Sequence, residues 1–188
     1  MRRALYILAE LDDGDVRWLV ENGTRQAVDN GETLIAEGSD VDTLYIVTNG
    51  EVGVYVAEGK RVAKMGTGDV VGEMSLVSRQ APSASVRGLD NAEVLAVPQQ
   101  LIRDRLEDDT AFAARFYKAL AIFLSDRVRE HVLRLGYGDT RADQAAFINE
   151  NEIDEAILDN IHIAGDRMRR LLAMLDGKKP RQRRKAKA

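Results

Sequence analysis

The sequence predicts an α+β protein in which an antiparallel, jelly-roll-like β-roll is flanked by N-terminal helices and a long C-terminal helix, followed by a C-terminal helical extension. The first observation is the hydrophobic period, which is about 3.6 in residues 1–23, two between Thr24 and Val97, and about 3.6 again from Pro98. The second is the close spacing of turn signals in the central zone, which favours short antiparallel strands over βαβ units. The third is the length of 188 residues, which allows one full domain with an appendage.

The first zone predicts two short helices. Leucines recur at every third position from Leu5 to Leu11. Asp12 or Asp13 would cap the second helix, because an aspartate side chain can accept a hydrogen bond from the free N–H groups of the first turn. Gly23 would end this helix.

The central zone predicts a β-hairpin at Asn49-Gly50. Apolar residues alternate with other side chains before this dipeptide, in residues 44–46, and after it, in residues 52–56. Asn-Gly between two such runs is the strongest short-range hairpin signal. Further turn signals lie at Asn30-Gly31, Gly38-Ser39, Glu58-Gly59, residues 66–69 and Asp90-Asn91.

The third zone predicts three helices. Pro98 suits the first turn of a helix that runs to about Glu107. A long amphipathic helix starts at Asp109 or Thr110 and carries apolar residues from Phe112 to Leu135, and a last helix runs from about Glu152 to Leu175. Near the end of the long helix lie Arg127, Arg129 and His131. Contact with a ligand or a partner is one alternative for them, but a polar, solvated helix face is the commoner explanation, and we expect it here.

Charge divides the chain into a globular part and a tail. Residues 178–188 contain seven Lys and Arg and no acid, which leaves 20 basic against 31 acidic residues, or −11, for residues 1–177. The tail has no apolar residue larger than alanine, so we expect it to be disordered. The predicted organisation is therefore a domain at 1–135, a helical extension at 136–177 and a disordered basic tail at 178–188.

Composition excludes several function classes. The chain has no cysteine and only two histidines, His131 and His162, which excludes thiolate metal centres and disulfides and makes a multi-histidine metal site close to impossible in a monomer. No nucleophile–base pair or phosphate-transfer loop emerges, so the sequence does not predict an enzyme. No stretch approaches the roughly 20 apolar residues of a membrane span. We expect a soluble cytoplasmic protein without a metal or cofactor.

One glycine-rich, acidic segment resembles the cyclic nucleotide-binding domain family. Residues 66–76 read Gly-Thr-Gly-Asp-Val-Val-Gly-Glu-Met-Ser-Leu, and residues 83–87 read Ser-Ala-Ser-Val-Arg. The resemblance extends to Gly31-Glu32, Glu37-Gly38 and residues 44–52, and it covers about residues 5–135. It implies a β-roll that binds cAMP or cGMP and acts as a non-catalytic regulatory module.

The resemblance also implies which residues meet the ligand. In the family, the glutamate that matches Glu73 accepts a hydrogen bond from the ribose 2′-OH, while Ser83 and the amide of Ala84 match phosphate contacts and Val86 lies against the sugar or base. Gly72 would let the backbone approach the ligand without a Cβ in the way. The full set of candidate ligand-binding residues is Gly72, Glu73, Met74, Ser75, Arg79, Ser83, Ala84, Ser85 and Val86.

The sequence departs from the family at Pro82. The phosphate-binding arginine of the family usually lies nine residues after the glutamate, and a proline offers neither a donor nor a charge. Losing a charge-assisted contact costs roughly 1.5–3 kcal/mol, or about 10- to 150-fold in affinity. Three outcomes stay open: Arg79 replaces the charge, the pocket binds a cyclic nucleotide weakly, or the pocket is vacant or adapted to another ligand. Arg87 is expected to point out of the roll.

The resemblance implies partners as well. In the family the helix after the roll often forms a dimer seam, and the apolar stripe predicts a homodimer through the long helix; its members are Phe116, Leu120, Phe123, Leu124 and Val128. After Gly136 only one long helix is evident, so no helix-turn-helix is predicted, and the acidic body also argues against DNA binding. The alternative function is a degenerate fold that has lost its ligand and serves as an interaction or dimerisation module for an unknown protein partner.

Overall fold

A computed structural model confirms the predicted fold class, and it describes residues 4–56, 59–78, 80–134, 155–177 and 181–182. Within these ranges, two helices precede the sheet, one short helix lies within it, and three helices follow most of it. The elements are α1 (Ala4–Glu10), α2 (Asp13–Asn22), β1 (Thr24–Val28), β2 (Thr33–Ile35), β3 (Thr43–Val56), β4 (Lys60–Gly66), β5 (Val70–Val71), α3 (Glu73–Ser78), β6 (Ser85–Pro98), α4 (Gln99–Asp108), α5 (Thr110–Arg134), α6 (Glu155–Asp176) and β7 (Arg181–Gln182).

The two longest strands, β3 and β6, form the centre of the sheet. They pair antiparallel from Thr43 opposite Pro98 to Tyr55 opposite Ser85. The strand order is β4-β3-β6-β1-β7, with β2 added on β6 and β5 added on β3. The strands pair antiparallel throughout the described sheet except for β1 and β7, which are parallel.

The hairpin predicted at Asn49-Gly50 is wrong. The chain does not reverse there: β3 stays paired with β6 on both sides, and the register shifts around this dipeptide. Gly50 has φ +67°, and opposite it Asn91 has φ +36°. A Cβ at position 50 would lie 2.2 Å from the carbonyl oxygen of Asp90. The dipeptides Asn49-Gly50 of β3 and Asp90-Asn91 of β6 thus lie opposite each other and form one irregularity in both strands. An irregularity of this kind bends a strand and increases its twist.

The first half of the apolar stripe on α5 packs inside the protein. Phe112, Phe116 and Phe123 are at most 2% exposed, and Leu120 is buried as well. Val128 is 61% exposed. Of the stripe that predicted a dimer seam, the C-terminal end is therefore the part that could meet a partner, and the homodimer stays a prediction.

The described part of the predicted extension, α6, packs on α1 and α2. Leu171 and Leu175 of α6 are fully buried. The Nη1 atom of Arg167 donates to the carbonyl oxygens of Leu8 and Ala9 at 3.0 and 2.8 Å, and so satisfies free acceptors at the end of α1. The boundaries of the extension stay a prediction, because residues 135–154 lie outside the described ranges.

Two further sequence expectations concern the tail and the membrane. The predicted disordered tail lies mostly outside the described residues; the part that is described, Arg181 and Gln182, pairs with Gln26 and Ala27 of β1. Among the helices in the described ranges, none combines the length and the apolar character needed to cross a membrane.

A buried carboxylate joins α2 to α4 and α5. Asp15 is fully buried, and it forms a capping box with Asp12, as the predicted capping of α2 requires. Arg105 of α4 donates to Asp15 Oδ1 at 2.7 Å, and Arg115 of α5 donates to Asp15 Oδ2 at 2.7 Å. The guanidinium of Arg105 also lies 4.0 Å from the ring centroid of Phe112.

These contacts decide the protonation of Asp15. Burial by itself raises the pKa of this carboxyl, but the hydrogen bonds from Arg115 and from the backbone N–H of Asp12, with the charges of Arg115 and Arg105, hold the pKa below its ordinary value of 3.8. The carboxylate form therefore stabilises the fold. This contribution is fully present above the ordinary pKa and is lost as the pH falls through the lower folded value.

Replacing Asp15 by asparagine tests this cluster. We expect Asp15→Asn to lower the free energy of unfolding by about 3–5 kcal/mol at pH 7, because two guanidinium groups lose their carboxylate. The difference between wild type and variant should shrink as the pH falls below the ordinary pKa of 3.8, because the unfolded wild-type chain then binds a proton that the folded carboxylate does not yet bind. Urea denaturation across this pH range measures both effects, with Asp108→Asn on the exposed side of α4 as the control. A difference that stays constant down to pH 2 would contradict the ion-pair explanation.

Candidate functional site

Gly72 lies at a position where the backbone conformation and the close packing require glycine. Its φ is +90°, and a Cβ there would lie 2.6 Å from the carbonyl oxygen of Thr43 in β3. The side chain of Gln99, fully buried at the start of α4, donates to the carbonyl oxygen of Gly72 at 2.9 Å. The close approach that requires glycine is thus made to strand β3, and α4 fixes the orientation of this peptide.

Glu73, the predicted ribose ligand, is buried and contacts helix α5. The whole residue is 2% exposed. Arg127 donates from Nη1 to Glu73 Oε1, and the guanidinium also lies 5.6 Å from the ring centroid of Phe123. The expectation of a solvated face is therefore wrong for Arg127. One signal in the sequence could have found it, because Arg127 follows the buried Phe123 by four residues and so shares its helix face.

The protonation of Glu73 reflects its burial. Burial raises the pKa of this carboxyl above its ordinary value of 4.5, and the charge of Arg127 opposes the rise. A carboxylate can accept more than one hydrogen bond, so contact with Arg127 does not by itself prevent contact with a ligand hydroxyl. The site therefore offers one buried acceptor group and one cation, supplied by two different elements.

The loop before β6 is tied to the segment between β2 and β3. The backbone N–H of Gly38 donates to the carbonyl oxygen of Pro82 at 2.9 Å, and the N–H of Glu37 donates to Ser85 Oγ at 3.0 Å. Pro82 thus takes part in the fold as a carbonyl acceptor, a role that does not require an N–H. Arg79, the predicted replacement for the missing cation, lies outside the described residues.

The other candidate residues differ widely in exposure. Val86 is buried, and Ala84 is partly buried against the core. Ser83 is exposed, and Met74 is 54% exposed. Ser75 is buried within α3. The structure therefore brings Gly72, Glu73 and Ser75 together at α3, and places Ser83 to Val86 on the loop and strand that follow it.

Arg87 lies on the other face of β6 from Val86. Its guanidinium carbon is 5.2 Å from the ring centroid of Tyr55, while Val86 is buried in the core. Successive side chains of a strand point to opposite faces of the sheet. This placement agrees with the expectation that Arg87 points out of the roll.

Within the described ranges, no group of three or more His, Asp or Glu side chains is placed so that it could hold a metal ion.

Comparison with known proteins identifies relatives for about two thirds of the chain. Residues 25–109 match the family model described as the cyclic nucleotide-binding domain. The chain is 30% identical over 122 residues to an uncharacterised NTE family protein of Mycobacterium tuberculosis, a match that covers 65% of this chain and 21% of that protein. It is 31% identical over 124 residues to Glutaminase 2 of Bradyrhizobium diazoefficiens, covering 65% of this chain and 19% of that protein. The chain thus spans about a fifth of the length of these two relatives.

A solved structure shares the fold. A cyclic nucleotide-binding domain from Methylobacillus flagellatus superposes with a TM-score of 0.63 at 24% identity, covering 70% of this chain and 80% of that one.

The ion pair between Glu73 and Arg127 makes a testable prediction about pH. In Arg127→Met the buried carboxylate loses its cation, so we expect the pKa of Glu73 to rise further. A raised folded pKa stabilises the protein at low pH, and this contribution is lost as the pH rises through it. The variant should therefore lose about 3–5 kcal/mol of stability at pH 8 and clearly less at pH 5, by urea denaturation.

Two further variants control this measurement. Arg127→Met combined with Glu73→Gln removes the buried charge, and it should flatten the pH dependence and recover part of the stability. Arg61→Met, at an exposed arginine of β4, should leave the stability and its pH dependence unchanged. An equal loss at pH 5 and pH 8 in the single variant Arg127→Met would contradict the prediction.

Proposed function

Because residues 25–109 form a domain of the cyclic nucleotide-binding family, we propose that this chain is a non-catalytic regulatory module that binds cAMP or cGMP beside α3 and relays binding through α5. The observation that carries the proposal is the contact between buried Glu73 of α3 and Arg127 of α5. A ligand that touches Glu73 thereby meets the helix that would transmit the signal.

Glu73 supplies the contact to the sugar. A buried carboxylate accepts a hydrogen bond from a ribose 2′-OH more strongly than an exposed one, because less water competes for it. A deoxyribose has no hydroxyl to donate at this position. The proposed contact therefore predicts discrimination between ribose and deoxyribose ligands.

Arg127 supplies the cation that Pro82 lacks. A guanidinium has five N–H donors in a planar fork, so the group that donates to Glu73 retains donors for a phosphate. The charge then comes from α5 instead of the loop before β6. Because a charge brought from another element is held less firmly than one built into the loop, we expect weak binding.

Relay to α5 follows from this division of the site. A ligand shifts a conformational equilibrium only if it binds one arrangement better than the other. With Glu73 on α3 and Arg127 on α5, the ligand contacts are complete only when α5 lies against the roll. Ligand binding therefore favours this arrangement of the helix.

The role of the module is to control a partner. The two curated relatives match this chain over about a fifth of their length, and one of them is named as a glutaminase. This supports a role in regulating a catalytic partner, whether it is carried by the same polypeptide or by another.

Calorimetric titration with cAMP, cGMP and 2′-deoxy-cAMP tests the proposal. We expect a ribonucleotide to bind, and Arg127→Gln to weaken its binding by about 10- to 150-fold through the loss of a charge-assisted contact. Wild type should prefer cAMP over 2′-deoxy-cAMP, and Glu73→Gln should lose most of this preference, because the hydroxyl and the carboxylate act as a pair. Arg61→Gln is the matched control, and thermal melting checks that each variant is folded.

A second candidate is a fold that has lost the nucleotide and serves as an interaction or dimerisation module. Pro82 and the exposure of Val128 on α5 favour it. If this second candidate is correct, the same titration gives no heat with any of the nucleotides at millimolar concentration. Light scattering then reports whether the chain dimerises.

A further inference from the structure

A cavity lies between α3, α4 and the segment before β3, and it shares Ser75 with the candidate nucleotide-binding residues. Its volume is about 350 Å³, within the range of small-molecule sites. Neither Glu73 nor Val86 lines it. The polar residues of its wall on which the argument depends are Asp40, Ser75, Gln80, Gln100 and Arg103.

Two residues of opposite charge, Arg103 and Asp40, line this cavity and do not form an ion pair with each other. Arg103 Nη2 donates to Gln99 Oε1 at 2.7 Å, while Arg103 Nε is buried and has no hydrogen-bond partner. Asp40 is exposed, and within the described residues neither it nor Arg103 forms an ion pair. Because Nε has almost no accessible surface, a ligand in the cavity would instead meet the Nη1 end of the guanidinium, whose charge is not neutralised by any carboxylate of the described residues.

We propose that this cavity binds a small zwitterion of the α-amino acid class. The carboxylate of the ligand would meet Arg103 and its ammonium group would meet Asp40. Gln80 and Gln100 also line the cavity; the side-chain amide of Gln100 donates to Asp104 Oδ1 at 2.7 Å, which leaves its carbonyl oxygen as an acceptor. A simple anion is repelled by Asp40 and a simple cation by Arg103, so a molecule that carries both charges is the better complement.

The same residues connect the cavity to the nucleotide site. Arg103 donates to Gln99, and the side chain of Gln99 donates in turn to the carbonyl oxygen of Gly72, next to Glu73. Gln99 is fully buried, and its backbone N–H donates to the carbonyl oxygen of Asp42 at 2.7 Å. A ligand that draws on the guanidinium therefore changes the contact that orients the peptide before Glu73. This coupling rests on the proposed function, whereas zwitterion binding does not.

Saturation-transfer NMR on the full chain tests the site with the proteinogenic L-amino acids as probes, and with acetate, ethylamine and inorganic phosphate as controls. We expect at least one amino acid to bind, with acetate and ethylamine each at least about 10-fold weaker, since each lacks one charge-assisted contact. Arg103→Gln and Asp40→Asn should each weaken amino acid binding by about 10- to 150-fold. Arg61→Gln and Asp108→Asn are the matched controls. Asp40 is exposed, so its substitution leaves the core intact.

Several results would overturn the proposal. Equal binding of acetate or phosphate, unaffected by Asp40→Asn, would indicate a site for anions alone. The absence of binding by every amino acid at millimolar concentration would remove the site. Amino acid binding must persist in Glu73→Gln and Arg127→Gln, so a failed nucleotide titration leaves this result independent. Coupling predicts that the bound amino acid shifts the side-chain amide resonance of Gln99. It also predicts that the amino acid changes the affinity for the nucleotide by the same factor by which the nucleotide changes the affinity for the amino acid.

Discussion

The antiparallel pairing of β3 with β6 is the constraint on which the rest of the structure depends. These strands stay paired over almost their full lengths despite the irregularity at Gly50 and Asn91. The start of β3 lies against Gly72, the start of β6 follows the loop that carries Pro82, and the end of β6 leads directly into α4. The peptide before Glu73 is therefore held next to the ends of this strand pair.

Two buried carboxylates then attach the C-terminal helices to the rest of the protein. Asp15 of α2 receives arginines from α4 and α5, and Glu73 of α3 receives Arg127 from further along α5. Both acids are almost completely buried, yet their pKa values shift in opposite directions. Asp15 has enough hydrogen bonds and positive charge to overcome the cost of burial, whereas Glu73 does not. The first carboxylate joins α2 to α4 and α5, and the second joins α3 to α5.

Local sequence patterns predicted the helices and strands well where a pattern is compatible with only one kind of structure. Pro98 and the 3.6-residue period located α4 and α5 to within about two residues, because these signals depend on neighbours along the chain. Asn49-Gly50 failed for the opposite reason. A glycine with positive φ serves equally in a reversal and in an irregular strand, and only the partner strand decides between them. Arg127 was misplaced in the same way, since its partner Glu73 lies 54 positions away.

The sequence by itself determined the fold class, the order of its zones, the family resemblance and the glycine–glutamate pair at α3, because periodicity, turn residues and short motifs are local properties. Only the tertiary structure decided that Gly72 is required by strand β3, that Arg127 contacts Glu73, and that Arg103 and Asp40 line one cavity. These facts depend on where distant segments pack. Pro82 leaves the loop without a cation at this position, whereas the packing of α5 brings Arg127 to the carboxylate of Glu73.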